Sequence, residues 1–169
     1  VFRDTSAWYH LVVLIDFTDS TAGDRCQLYI NGVRETAFDV ENYPDDASQV
    51  TALNTAATMF IGTNTGNANQ FKGYLAEVVV IDGTRQAIGD LGVFKNGVWT
   101  PVDPSGLTFG TNGFYLKFAA SDGMGTDSSG NGHTFGLTNI AAHDQMLDTP
   151  TFNDDNGGNF CTFNYTNKG

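Results

Sequence analysis

The sequence predicts an all-β chain folded as an antiparallel β-sandwich, and three observations carry that reading. Apolar and β-branched residues come in short runs of strand length, as in LVVLI at 11–15, CQLYI at 26–30 and EVVVI at 77–81. Asn-Gly pairs at 31–32 and 96–97 stand between such runs, and both central residues of a type I′ hairpin turn need positive φ. The 169 residues include 20 Gly, which favours many turns over long helices. There is no heptad pattern and no internal repeat.

In the first strand Tyr9, Leu11, Val13 and Ile15 share one face, and Trp8, His10, Val12 and Leu14 share the other. Both faces are mostly apolar, so the strand is expected inside the sandwich and not at its edge. DSTAGD at 19–24 is a polar connector. Residues 26–30 form the second strand, which turns at Asn31-Gly32 and runs back antiparallel over 33–38. Residues 41–54, with Pro44, Asp45 and Asp46, read as a long surface loop. The strand pattern resumes at 59–62 and 71–81. There Tyr74, Ala76, Val78 and Val80 oppose Leu75, Glu77, Val79 and Ile81. Between the two runs lies TNTGNANQ, 63–70, without a single charge. Asp82-Gly83 ends the strand, and 84–91 is the only helical candidate. A tight hairpin over 93–99, a strand over 114–118, a Gly/Asp/Ser-rich loop over 122–133 and a short strand over 134–137 complete the order. From His143 onward the polar sequence reads as extended linker.

Net charge of −11 and a pI near 4.3 argue against nucleic acid or an anionic membrane surface, which would repel the chain. No stretch approaches the ~20 apolar residues of a membrane span. Of the 19 acidic residues only Glu35, Glu41 and Glu77 are Glu; the rest are Asp, at home in turns and loops. Cys26 and Cys161 are too few for a disulfide framework. Cys26 alternates with Leu28 and Ile30, which suits a buried free thiol.

SAWYHLVVLID at 6–16 followed by CQLYINGV at 26–33 resembles the central hairpin of laminin-G-like domains. These belong to the concanavalin A-like lectin/glucanase superfamily, and the version at hand is similar to that in tail and fibre proteins of marine bacteriophages. Further blocks match in order: FIGTNTGNANQFKGYLAEVVVIDG at 60–83, GVWTPV at 97–102, GTNGFYLKF at 110–118, DSSGNGH at 127–133 and DQMLDTPT at 144–151. The resemblance implies a jelly-roll sandwich over residues 1–142 and a linker over 143–169. It also implies that the chain is the C-terminal part of a larger sandwich, because the phage relatives carry more of it before the position of Val1. Their counterpart of 148–164 leads out of the domain, often into a SPRY-like module. The DSSGNG loop stands near the end here and near the start in other laminin-G-like domains.

The implied role is non-enzymatic recognition of a host-surface glycan or receptor by a virion-associated fibre, spike or surface appendage. The expected place is the virion surface or the extracellular space, as a homo-oligomer among other virion or appendage subunits, with no membrane insertion. A purely structural virion protein and a secreted or cell-surface bacterial adhesin are the alternatives.

Glucanase chemistry would need two carboxyl groups ~5–5.5 Å apart on one strand face. Glu77 and Asp82 fall on opposite faces, and Glu35 and Asp39 are four positions apart without a third partner. His10, His133 and His143 accompany no nucleophile elbow, and no Cys/His spacing suits zinc. No catalytic residue is therefore assigned. Sugar binding asks for an exposed aromatic face with amides to hold hydroxyl groups. Asn64, Asn67, Asn69 and Gln70, ending on Phe71, supply both, although Tyr43 beside Asp45 and Asp46, and Trp99 near a hairpin turn, offer other platforms. Calcium is the one metal to weigh. Asp127 and Asn131, with Asp122 and backbone carbonyls, offer hard oxygen ligands, whereas DSSGNG is equally an Asx-and-Ser turn. NDDNGG at 153–158 is a weaker second candidate.

Overall fold

The computed structural model describes residues 4, 7–45, 58–64, 69–119 and 123–145. Its regular structure is antiparallel strand and short 3-10 turns, with no α-helix among the described residues. Strand β1 (Leu11–Ile15) pairs with β2 (Cys26–Ile30), which pairs with β3 (Val33–Arg34). Strand β4 (Val78–Val80) pairs with β7 (Phe114–Leu116), and β5 (Gly92–Lys95) pairs with β6 (Val98–Pro101). The two Asn-Gly turns form as their chemistry requires, with φ of 49° and 78° at Asn31 and Gly32 and of 50° and 82° at Asn96 and Gly97.

Several strands are shorter than the sequence pattern suggests, for local reasons. β3 stops at Arg34 and not at Phe38. The Glu35 amide still donates to the Leu28 carbonyl, but its carboxylate accepts from the Thr36 and Ala37 amides and turns the chain away from the ladder. Residues 59–62 form no strand; the Gly62 carbonyl is bonded by the Phe71 amide at 2.7 Å, which closes a loop. Residues 71–76 stay outside the ladder because Glu77 sits at φ 53°, a left-handed kink that breaks the alternation before β4. Phe118, at φ 54°, lies just past the end of β7. The expected helix over 84–91 is one 3-10 turn, Ile88–Asp90, where the Asp90 carboxylate accepts from the Ala87 amide. Of the expected strand at 134–137 only the single bridge Thr126–Thr134 is present.

The best-buried cluster lies around β7, where Phe109, Phe114, Tyr115, Leu116 and Met124 are buried. Phe109 stacks on Tyr115 at 5.9 Å, and Phe114 meets Phe135 at 4.7 Å. The sheet of β1 to β3 differs. Leu11, Val13 and Ile15 lie opposite Ile30, Leu28 and Cys26, and Val33 lies opposite Ile30 and extends the row. Cross-strand partners share a face, so this whole face is apolar. It is also open, with Leu11 51%, Val13 55% and Val33 63% exposed. The expectation of a first strand covered on both faces therefore fails on this side: Val12 is buried, but no layer of described residues covers the other side. Cys26 is likewise exposed and not buried, because the register places it on the open face at the end of β2. Cys161 and the NDDNGG segment lie outside the described residues, as does most of the expected linker.

Candidate functional site

Three places hold the residues singled out by chemistry. The first is the loop around residues 63–71. The Phe71–Gly62 backbone bond draws its two ends together, so Asn64 and the Asn69–Gln70–Phe71 run belong to one loop. Asn69 takes φ 56°, a conformation that Asn tolerates better than most side chains. Asn64, Asn69 and Gln70 are exposed, and Phe71 is 54% exposed. Asn67 lies outside the described residues. The Phe71 ring lies against Gly73, where an added Cβ would come within 2.9 Å of it, so the small residue admits the ring. Phe60, Tyr74 and Leu75 add exposed apolar surface, Tyr74 at 66%. Sequence reasoning missed Tyr74 and Phe60 as surface groups because the period-2 pattern placed them in strands. The Gly73-Tyr74 pair was the available signal, since Gly inside a strand pattern often marks a departure from it.

The second place is the loop after Thr126. Asp127 Oδ1 accepts from the Tyr115 amide and the Ser129 amide, both at 2.9 Å. Its Oδ2 accepts from the Ser129 hydroxyl at 2.8 Å and the His133 amide at 3.2 Å. Burial pushes this carboxyl up, but the four donors outweigh it and hold Asp127 below the ordinary carboxylate value. Asn131 donates its side-chain N–H groups to the carbonyls of Gly110, at 2.6 Å, and Gly113, at 2.8 Å. Both residues thus lock a turn onto β7 and the 110–113 loop, and the oxygens that calcium would need on Asp127 face N–H and O–H donors. Asp122 lies outside the described residues. No group of three or more His, Cys, Asp or Glu among the described residues is placed to hold a metal ion. An open cleft of about 520 Å³ adjoins this loop, lined by Leu107 to Thr111 with Ser129 and Asn131, none of them charged.

The third place is the pair of carboxylates flanking β4 and the aromatic clasp at β1. Glu77 accepts from the Tyr115 hydroxyl at 2.8 Å, and burial followed by the Glu77 charge drives that phenol up. Asp82 accepts from the Asn112 amide and side chain. Of the other two platforms, Trp99 is packed between neighbours and Tyr43 stays exposed while touching its own loop. Trp99 fills the space between Gly32 and Gly92, meets Phe94 edge-on at 5.0 Å, and donates its indole N–H to His10 Nδ1 at 2.8 Å. The Tyr43 ring lies against Gly23, and its hydroxyl donates to Glu41.

No curated protein and no solved structure matches the chain. A family model does. The laminin-G model of the concanavalin A-like lectin/glucanases superfamily matches residues 3–87, half of the chain, a span that holds β1 to β4 and the 63–71 loop. With the β1–β2–β3 meander and this match together, the chain belongs to the laminin-G-like family of the concanavalin A-like lectin/glucanases superfamily.

Proposed function

We propose that the protein is a non-enzymatic recognition module that binds a host-surface glycan through the 63–71 loop. The observation that carries this reading is the exposed Phe71 ring set beside the exposed amides of Asn64, Asn69 and Gln70, with Tyr74 close in sequence. A ring face takes pyranose C–H groups while amides fix hydroxyls, and neither task needs a charge or a metal. The uncharged loop suits a neutral sugar. The resemblance of the sequence blocks to phage tail proteins supports a setting on a fibre, spike or surface appendage, with a bacterial surface adhesin as the alternative setting. A glycan array probed with the intact protein tests the reading. Binding that falls at least tenfold in Phe71→Ala, with far-ultraviolet circular dichroism unchanged, is the expected result. Absence of binding to every glycan and to host cells would overturn it.

A purely structural subunit is the second reading, and the open apolar face of the β1–β3 sheet favours it. A sandwich would bury such a face against a second sheet ~10 Å away. The two readings differ in whether the 63–71 loop engages a sugar.

A further inference from the structure

We propose that the His10–Trp99 pair is an acid-released latch between the β1–β3 sheet and the β5–β6 hairpin. The indole N–H of Trp99 on β6 donates to Nδ1 of His10, which directly precedes β1, at 2.8 Å. An indole nitrogen can only donate, so this bond exists only while His10 Nδ1 carries no proton. Protonation sets two N–H groups against each other at the same contact. The His10 backbone is held in place, because its amide donates to Asn31 Oδ1 and its carbonyl accepts from the Asn31 amide. The latched form therefore needs the neutral imidazole, and protonation opens it by parting the two rings.

Among the described residues, the strands and turn packed against His10 offer the imidazolium no carboxylate, and Asp4 meets the neighbouring Tyr9 through its amide. The ionisable side chains on the neighbouring elements are Tyr9 beside it, Cys26 and Tyr29 on β2, Arg34 on β3 and Lys95 on β5; β6 and the 31–32 turn carry none. None is a carboxylate. Burial holds the imidazole below its ordinary 6.5. The open state binds the proton more readily than the latched one, so acid favours opening. Between the free value and the latched value, each unit of falling pH lowers the latched-to-open ratio about tenfold. Because Trp99 also fills the gap between Gly32 and Gly92, opening loosens the contact between the two sheets and the 31–32 turn.

The chain has two Trp, so the full chain carrying Trp8→Phe reports Trp99 fluorescence alone. A reversible one-proton red shift between pH 7.5 and 4.5, with faster hydrogen exchange in the β5–β6 hairpin, is expected. His10→Gln, whose amide oxygen accepts the indole N–H without titrating, removes that transition. Nitrogen NMR of the unsubstituted protein supplies an independent reading, with Nδ1 unprotonated at pH 7.5. A transition that persists in His10→Gln, an unchanged Trp99 signal across the range, or a protonated Nδ1 at pH 7.5 would each overturn the latch.

Discussion

Removing the Asp127 carboxylate is the sharpest perturbation the structure offers, because four donors converge on it and its loss strands one of them in the core. In Asp127→Ala the Tyr115 amide loses its acceptor while its residue stays 1% exposed. A buried donor left unsatisfied costs about 1–3 kcal/mol. The Ser129 and His133 amides and the Ser129 hydroxyl are half-buried, so water recovers part of their loss, and about 0.5–1 kcal/mol each is a fair charge. The total is about 2.5–6 kcal/mol, a large part of the ~5–15 kcal/mol that holds a domain folded. Asp127→Asn keeps one acceptor oxygen and loses the charge assistance, so about 1–2 kcal/mol is expected. Urea unfolding followed by circular dichroism measures both, with the slope of the transition unchanged. The pH dependence has a fixed sign. The folded carboxyl titrates below its ordinary value, so its contribution is present above pH ~4 and is lost as acid drives pH down through the folded value. The same experiment separates the turn from a calcium site. A site filled at 100 times Kd would add ~2.7 kcal/mol, whereas a turn-locking Asp127 leaves the melt identical in millimolar calcium and in excess chelator. An Asp127→Ala protein within about 0.5 kcal/mol of the original would refute the reasoning.

The two Asn-Gly turns have the same wording and unequal tolerance. Gly32→Ala places a Cβ inside the Trp99 ring and holds φ at 78°, whereas Gly97→Ala meets open space at φ 82°. Gly97→Ala should therefore cost only the left-handed penalty of about 1–2 kcal/mol, with Gly32→Ala well above it in thermal melts; equal costs would mean that Trp99 does not pack on the turn. On the open sheet face, Leu11→Thr with Val13→Thr keeps strand propensity and removes apolar surface that is already half in water. Stability of the chain should change by less than about 0.5 kcal/mol while binding of an apolar-surface dye falls; a loss of several kcal/mol would show the face to be covered.

Local chemistry was legible in the sequence wherever a residue type has few ways to satisfy itself. Asn-Gly leaves little choice but positive φ at two successive positions, and both hairpins formed at the expected residues. Asp-Ser-Ser-Gly-Asn has many local donors, and its Asp found them. Periodicity was a poorer guide to extent. It carried the strand of Val78–Val80 back through Tyr74, because nothing in alternation marks a Glu willing to sit at φ 53° once a Tyr115 hydroxyl rewards its carboxylate. It also made the first strand look covered on both sides. Alternation records that a face is apolar, which Leu11, Val13 and Ile15 plainly are, but apolarity is a demand for a partner and carries no address for it. The candidate sugar loop illustrates the reverse case. Its amides and Phe71 were legible by composition, but the bond that gathers them, from the Phe71 amide to the Gly62 carbonyl, is a backbone contact between residues nine apart. Backbone groups are the same in every residue. The sequence could mark which side chains suit a sugar, and only the folded chain could bring its two ends to the same place.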